Sequence, residues 1–431
     1  MAAPAVLEVA LRQGRSSPRI DVSPTVTGQR AWRLPARRHV WPSAAKREII
    51  LPGQFGEETR TVNQPSADVT IIGGGIIGSA LAWELTARNI TVALYDRREI
   101  GREATWASAG IISPPGERHG SRSQLALDAF RRYPALIAEA QELSGIAVGY
   151  NPTGQLNLGE DLHAEQFATD ARWLAEHGIP AELLDAQAIR EREPAVLERY
   201  THGILVPGSG SVLLGQLARA LARVAQRRGA TIYEHCRVEG VVVERGRATA
   251  IRTFDGTRPA GTLVIAAGAW SRMLGDSIDL PSPTYPVRGQ MLALADPPVP
   301  IRSVLSAGLG YLVPRADGTI AVGATEEHTS GFDDRVTPAG LAELAGIISN
   351  LAPSLAQGRF IGAWAGLRPG SDDGELIVGR APHLENVWLA TGHYRSGALL
   401  APATAGLLAE SIATGHTVAG LAAFDPARFV R

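Results

Sequence analysis

The stretch Asp68-Val-Thr-Ile-Ile-Gly-Gly-Gly-Ile-Ile-Gly78 decides the fold of this chain. It opens with a short β-branched run, which is typical of a buried strand. The glycines that follow at once, Gly73, Gly75 and Gly78, match the pattern G-x-G-x-x-G, and residues 79–88 then read as a helix. In a βαβ unit the first glycine permits the tight turn, the second lets the backbone approach a pyrophosphate, and the third allows close helix–strand packing. The stretch therefore predicts a dinucleotide-binding unit.

The chain beyond that helix supplies the remaining parts of the unit. Thr91-Val-Ala-Leu-Tyr95 predicts the second strand, which ends at Asp96. An acidic residue about 20 positions after the glycines can accept hydrogen bonds from ribose hydroxyls, and it disfavours the 2′-phosphate of NADP. The helix N-terminus offers free N–H groups and a positive dipole to the phosphates. These residues leave NAD and FAD open.

Three further blocks indicate a flavin. Residues 101–113 are mostly small, which lets the backbone come close to a flat ring, although an ordinary Gly/Ser loop has a similar composition. Residues 262–271 form an apolar strand pattern that leads into Ala-Ala-Gly. Residues 392–400 form a glycine-rich turn ahead of a helix, and such a helix N-terminus can hold electron density at the N1–C2=O edge of a flavin.

Composition excludes several other classes. The chain has 431 residues, 45% of them hydrophobic, which predicts two or three globular domains. Its net charge of −1 disfavours general nucleic-acid binding. Cys236 is the only cysteine, which excludes an internal disulfide and a Cys-rich metal site, so no metal is expected. Uncharged apolar runs fall short of the roughly 18 residues that a spanning helix needs, so we expect no membrane span and a cytoplasmic protein.

Residues 1–65 differ from the rest of the chain. They are rich in Arg and Pro and have no sustained apolar period, which is typical of a disordered N-terminal extension. Two alternatives stay open. The segment resembles an organelle transit peptide in its Arg-rich, acid-poor composition, or translation starts later and the segment lies upstream of the true start.

As a set, these blocks and three later strings resemble the FAD-dependent amino-acid oxidases, the family of D-amino-acid oxidase, sarcosine oxidase and glycine oxidase. The strongest likeness is to the glycine oxidases of thiamine biosynthesis. The later strings are Tyr311-Leu-Val-Pro-Arg315, Val322-Gly-Ala-Thr325 and Trp364-Ala-Gly-Leu-Arg-Pro-Gly370. Together the blocks run in the family's order from residue 68 to about 425, so the likeness covers nearly all of the chain after the first 65 residues.

The resemblance implies an α/β (mixed α+β) fold, with a Rossmann-type FAD-binding domain and an inserted substrate domain built on an antiparallel or mixed sheet. The FAD-binding domain would comprise 66–148, 206–275 and 366–425, and the substrate domain 149–205 and 276–365. The residues themselves agree in outline. They predict strands at 155–158, 238–244, 248–254, 262–266 and 289–295, and helices at 164–176 and 340–352.

The resemblance also implies the residues that contact FAD. Backbone N–H groups of the glycine motif would meet the pyrophosphate, a strand end the ribose, small residues the flavin approach, one main-chain group the adenine, and the late turn the isoalloxazine edge. In that order these residues are Gly73, Gly75, Ile76, Ile77 and Gly78; Asp96 and Arg97; Ala104, Thr105, Ala109, Gly110 and Ile111; Val238; and His393, Tyr394, Arg395, Ser396, Gly397, Ala398 and Leu399.

Flavin-dependent oxidation of an amino acid transfers a hydride from Cα to N5, so the protein must orient the Cα–H bond and hold the substrate carboxylate. A guanidinium group pairs bidentately with a carboxylate, and Arg368 in Gly-Leu-Arg-Pro-Gly is the predicted anchor. The resemblance implies that Tyr311 covers the carboxylate side. Arg395 would face the ring or the substrate amine. His393 is expected to contact FAD through its backbone, because a neutral amine needs no dedicated base.

Together these features predict FAD-dependent oxidative deamination of glycine and other small amines (sarcosine, D-alanine), giving imine or 2-oxo acid, ammonia and peroxide, in service of thiazole synthesis. FAD is expected to be non-covalent, since no cysteine lies in the later segment where monomeric sarcosine oxidases attach it. The implied partners are a small amino acid and dioxygen, and the implied assembly is a homotetramer. A D-amino-acid dehydrogenase or oxidase of broader specificity and a sarcosine oxidase stay open. Glu326 replaces an apolar residue of some glycine oxidases, which leaves the pocket shape open.

Overall fold

The computed structural model describes residues 67–115, 120–280, 283–308 and 310–430. The predicted N-terminal extension, residues 1–65, lies outside these ranges. Within them the strands, numbered in chain order, are β1 Val69–Ile72, β2 Val92–Tyr95, β3 Ile111–Ile112, β4 Gln155–Gly159, β5 Glu182–Asp185, β6 His202–Val206, β7 Gly210–Ser211, β8 Thr231–Tyr233, β9 Val238–Glu244, β10 Arg247–Thr253, β11 Gly256–Pro259, β12 Thr262–Ile265, β13 Thr284–Ala295, β14 Val304–Ala307, β15 Gly310–Pro314, β16 Ile320–Gly323, β17 Arg359–Ser371, β18 Ile377–Arg380 and β19 Val387–Thr391.

The helices include two long ones, α3 and α9, which pack against each other and beside α1 and α6. In chain order the helices of the described ranges are α1 Ile76–Ala87, α2 Glu103–Ala107, α3 Ser121–Ser144, α4 Ala164–Glu176, α5 Ala186–Arg192, α6 Leu214–Arg227, α7 Ser271–Asp276, α8 Pro338–Leu351 and α9 Gly397–Thr414, with short 3-10 turns such as Gly268–Trp270 between them.

A six-stranded sheet in the order β18-β19-β12-β1-β2-β8 carries the dinucleotide motif. Its strands pair in parallel except at the β18–β19 edge. All four residues of β1 are buried, which explains the unbroken apolar run, because one face of the sheet packs against helices such as α1 and α6 and the other against β9 and β10. A Cβ atom added to Gly78 would lie 1.9 Å from the carbonyl oxygen of Gly73, so only glycine lets α1 sit this close to the turn.

An eight-stranded sheet in the order β17-β13-β16-β15-β14-β4-β6-β5 forms the second large element. Its pairs are antiparallel apart from β14 with β4. The separate three-stranded sheet β11-β10-β9 contains the predicted hairpin at 238–254. This mixture of parallel and antiparallel sheets confirms the predicted α/β (α+β) fold class.

The domain boundaries stay a prediction. β17 spans the proposed boundary between residues 365 and 366, yet it pairs with β13 along its whole length. The pairing of strands therefore does not define a domain boundary within β17. A hydrogen bond ties the strand to the dinucleotide-binding part, since Trp364 Nε1 donates to the carbonyl oxygen of Ala107, the last residue of α2 (3.1 Å).

Helix α9 is long and apolar enough, by length and composition, to cross a membrane. Its packing accounts for that composition: 56% of its residues are buried within the protein, where the helix lies against α1 and α3. Leu400, Leu408 and their neighbours on α9 belong to the largest hydrophobic core, together with Leu81 and Leu85 of α1.

Candidate active site

A first cavity of about 200 Å³ opens where β1 and β2 end, at the edge of the parallel sheet at which nucleotides bind. Asp96 lines it, and both oxygens of this carboxylate accept backbone N–H groups, from Gly74 and from Arg98, each at 2.7 Å. Burial raises the pKa of Asp96, and these two N–H donors act against the rise. The lone pairs that remain can accept from ribose hydroxyls.

Arg97 lies flat over an aromatic ring in the same cavity. Its guanidinium carbon is 3.6 Å from the ring centroid of Trp270, and Nη2 is 2.5 Å from a carboxylate oxygen of Glu103. The contact with Trp270 and the ion pair hold this side chain at the wall of the cavity. Val238 lines the cavity on the other side.

The N-terminus of α1 faces the passage to a second cavity. The N–H of Ile76 already has a partner, because it donates to the buried hydroxyl of Thr105 (3.0 Å). Ile77 N–H has no partner among the residues that the structure describes, and this leaves it for a phosphate oxygen. Thr105 therefore positions the helix terminus from α2, a link that the spacing of the motif did not reveal.

The second cavity, about 340 Å³, lies between the two large sheets. It shares lining residues such as Gly75, Ala104 and Thr105 with the first, so the two cavities adjoin each other. Its lining includes, among others, the predicted residues Gly75, Ile76, Ile77, Ala104, Thr105, Ala109, Gly110, Ile111, Tyr311, Arg368, His393, Tyr394, Arg395, Gly397 and Ala398. The first cavity adds Gly73, Asp96, Arg97 and Val238.

Three predicted residues do not line either cavity. Gly78 packs against the turn, as described above. Ser396 precedes α9, and its N–H donates to the carbonyl oxygen of His393 (2.9 Å). Leu399 packs against the large hydrophobic core. These three residues therefore support the turn and the helices around the site and do not line it.

Arg368 enters the second cavity from β17. Its Nη1 donates to the carbonyl oxygen of Thr325 (3.1 Å), and no carboxylate pairs with it among the described residues. A Cβ atom built on Gly289 of β13 would lie 2.3 Å from Arg368 Nη2. Gly289 therefore provides the space in which the guanidinium group sits. A glycine inside a strand signals such a close approach, although the sequence does not say to what.

Tyr311 of β15 lies beside this arginine. Burial raises the pKa of its hydroxyl, and the positive charges of Arg368 and Arg395 act against the rise. The tyrosine is therefore neutral at ordinary pH, and its hydroxyl can donate to a carboxylate or to another acceptor in the cavity.

The turn before α9 joins the anchor strand to the flavin-side residues. Tyr394 N–H donates to the carbonyl oxygen of Pro369 (2.9 Å), the residue after the arginine anchor. His393 is buried, with Nε2 3.3 Å from the hydroxyl of Thr404. Burial is the main cause that lowers the pKa of His393 to about 3, so its ring is neutral and acts in packing.

Glu326 is the acidic residue that contacts Arg395 and Tyr394 of the second cavity. Its carboxylate accepts a short hydrogen bond from the Tyr394 hydroxyl and pairs with Arg395 Nη1 at 3.1 Å. His328 Nε2 lies 3.1 Å from the same carboxylate. The Tyr394 hydroxyl is the largest cause that lowers the pKa of Glu326, so this group is ionised at neutral pH.

Comparison with known proteins gives the class of this site. The model of the FAD dependent oxidoreductase family (DAO) matches residues 68–411. The chain belongs to this family. It is 34% identical to the glycine oxidase of Pseudomonas putida over 84% of this chain and 98% of that protein. It is 35% identical to the bifunctional protein ThiO/ThiG of Synechocystis over 85% of this chain, although it spans only 55% of that protein.

A solved structure agrees with this family membership. The glycine oxidase of Geobacillus kaustophilus superposes with a TM-score of 0.78, is 31% identical, and covers 85% of this chain and 100% of its own. The protein is thus an FAD-dependent oxidoreductase. The site fits that cofactor: it has two adjoining cavities, an acidic residue at a strand end that can accept from a ribose, and a helix N-terminus with an N–H group that can donate to a phosphate.

Proposed function

We propose that this protein oxidises glycine and other small amines such as sarcosine and D-alanine. The observation that carries the proposal is Arg368, a guanidinium group without a carboxylate partner in the described part of the chain, set in the flavin-side cavity beside Tyr311. The similarity of the chain to the glycine oxidase of Pseudomonas putida over nearly the full length of that protein supports the same reaction class.

We propose that the two adjoining cavities hold FAD without a covalent bond. Asp96 would accept from the ribose, Ile77 N–H would donate to the diphosphate, and the turn that contains His393 and Gly397 would surround one edge of the flavin. Cys236 lies in the first cavity, away from the flavin end. Acid precipitation should therefore release the yellow colour into the supernatant, and colour left in the pellet would contradict non-covalent binding.

The chain's own residues bind and orient the substrate. Arg368 would hold the carboxylate through two parallel hydrogen bonds, while Tyr311 would close the same side. FAD, when bound, would supply the two-electron redox chemistry that links oxidation of the substrate to reduction of dioxygen. Fixing the carboxylate sets the direction of the Cα–H bond, which is the larger contribution to rate. The neutral amine loses a proton to solvent as the imine forms, and water then hydrolyses the imine to a 2-oxo acid and ammonia, or to glyoxylate and methylamine where the substrate is sarcosine.

His393 does not serve as the base. Its ring faces Thr404 in the interior, and burial keeps the ring neutral. An amine that enters unprotonated needs no side chain to remove its proton before the hydride leaves. The same geometry sets stereochemistry, because an L-amino acid held by its carboxylate and amine would turn its Cα–H away from the flavin.

Anaerobic mixing tests the proposed function. Flavin absorbance should bleach with glycine, sarcosine and D-alanine and should stay unchanged with L-alanine. A later addition of air should restore the colour and release peroxide. Strong preference for a large D-amino acid, such as D-phenylalanine, would contradict the proposal. Reoxidation by a quinone but not by air would indicate a dehydrogenase.

The finer proposals rest on the family resemblance. We propose that the imine product serves thiazole synthesis in thiamine biosynthesis, that the protein is cytoplasmic, and that it assembles as a homotetramer. Size-exclusion chromatography with light scattering tests the assembly, and complementation of a thiamine-requiring strain tests the pathway.

A further inference from the structure

The two arginines of the flavin-side cavity differ in their partners. Arg368 donates to a backbone carbonyl and has no ion pair in the part of the chain that the structure describes. Arg395 pairs with Glu326 at 3.1 Å. Only one of the two positive charges is therefore free to attract an anionic group of a substrate.

Glu326 is held in place from three directions. The Tyr394 hydroxyl, Arg395 and His328 all contact its carboxylate, and Thr325, just before it, accepts the hydrogen bond of Arg368. Its side chain retains 25% of its exposure, and it lies beside Tyr394 and Arg395, which line the cavity. A substrate group that extended beyond the amine toward Arg395 would meet this negative charge.

We propose that Glu326 restricts the site to amines that carry a single carboxylate. It would do so by neutralising Arg395 and by repelling a second carboxylate at the far end of the substrate. The proposal rests on the proposed function, since it assigns a substrate class to the same site. Glu326 would thus determine specificity from the loop after β16, whereas the carboxylate anchor Arg368 lies on β17.

The two carboxylates of a bound amine with two such groups would meet different surroundings. The first carboxylate meets Arg368, which loses no existing ion pair. A second carboxylate could reach a cation only by displacing Glu326 from Arg395 and from the Tyr394 hydroxyl. Like charges placed together at a partly desolvated site repel each other, so Glu326 would weaken the binding of a ligand with a second carboxylate more than that of a ligand with one.

Two ligands that cannot be oxidised give a direct binding test. Methoxyacetate is the ether analogue of sarcosine, and oxydiacetate adds a second carboxylate to the same frame. Their dissociation constants are measured on the FAD-loaded enzyme by isothermal titration calorimetry and by perturbation of the flavin spectrum. The variants are Glu326→Gln, which keeps the hydrogen-bond acceptor but removes the charge, and Asp334→Asn, an equal change of charge at an exposed position nearby.

We expect Glu326→Gln to tighten oxydiacetate binding by about tenfold to a hundredfold, the range for loss of a charge repulsion at a partly exposed site. Methoxyacetate binding should change by less than about threefold, and Asp334→Asn should change neither ligand. Adding Arg395→Gln to Glu326→Gln should abolish the gain, because Arg395 is the cation that the second carboxylate reaches. If Glu326→Gln folds poorly, Glu326→Leu removes the same charge.

Equal changes for both ligands, or no change for oxydiacetate, would overturn the proposal. A gain that survives removal of Arg395 would overturn it as well. These outcomes are distinct from failure of the proposed function. An enzyme that binds methoxyacetate and shows the oxydiacetate gain, but does not oxidise glycine, sarcosine or D-alanine, would refute the proposed reaction while the specificity role stands.

Discussion

Arg368 gives the sharpest test of the site. Its guanidinium group sits in the space above Gly289, is fixed by the Thr325 carbonyl, and has no anionic partner in the described ranges. In the substrate complex its partner would be the carboxylate. Removal of Arg368 would leave that carboxylate partly desolvated and unpaired, a loss of about 2–5 kcal/mol in such sites. Arg368→Ala should therefore lower kcat/KM for glycine by roughly 30-fold to several thousandfold.

Two further variants separate the causes. Arg368→Lys should recover only part of the loss, since an ammonium group cannot reproduce the two parallel hydrogen bonds of a guanidinium group. Arg380→Ala is the matched control: this arginine is exposed at the end of β18, outside both cavities, and its removal should leave kcat/KM unchanged. FAD content, read from the absorbance ratio of flavin to protein, should be the same in every variant.

The assay combines stopped-flow bleaching with ligand binding. The rate of flavin reduction gives the effect on chemistry, and the dissociation constant of methoxyacetate gives the effect on carboxylate binding. If Arg368→Ala binds methoxyacetate as tightly as the unaltered enzyme, the carboxylate lies elsewhere and the reasoning is refuted.

Three other expectations follow from contacts in the site. Gly289→Ala should lower kcat/KM by less than Arg368→Ala, because the added methyl carbon would lie 2.3 Å from Nη2 and would displace the guanidinium group without removing it; unchanged kinetics would show that the displaced group still binds the carboxylate. Asp96→Ala should weaken FAD binding by about 1–3 kcal/mol and also lower the melting temperature, because the same carboxylate accepts two backbone N–H groups; equilibrium dialysis and thermal unfolding measure the two effects. His393 has its pKa lowered to about 3 by burial, so below its ordinary value of 6.5 the unfolded chain takes up a proton that the folded chain refuses. The free energy of unfolding should therefore fall as pH drops from 6.5 to 3, by up to about 5 kcal/mol from this residue, and His393→Gln should remove that share of the slope in urea titrations at several pH values.

Local sequence patterns predicted the fold class well because the decisive parts are contiguous. The strand, the glycine turn, the helix and the acidic strand end all lie within residues 68–96, so each residue type answers to a local constraint. The string around Arg368 was informative for a similar reason, since an arginine inside an apolar β-strand has few reasons to be there except a buried or substrate anion. The combined likeness of all the strings to known oxidases predicted the substrate domain and the residues that contact FAD, which no single string predicted.

Other features of the site depend on contacts between distant segments. The Glu326 carboxylate meets the Tyr394 hydroxyl across 68 residues of chain, and the Thr105 hydroxyl accepts from the N–H of Ile76 across 29. Neither pairing leaves a periodic signal, because each depends on how loops from different strands meet. The role of Gly289 is hidden likewise, since its neighbour in space is a side chain on the paired strand β17.

Hydrogen bonds and an ion pair link the charged residues in and beside the second cavity. Arg368 donates to the carbonyl of Thr325, Glu326 follows directly and holds Arg395 and Tyr394, and Tyr394 N–H returns to Pro369 beside Arg368. The charge of Arg368 also acts on the Glu326 carboxylate, so the effects of substitutions at these two positions on glycine oxidation should not be additive. In the double variant of Arg368 and Glu326 the coupling energy measures this interaction between the two side chains, which the loss from Arg368→Ala alone cannot report.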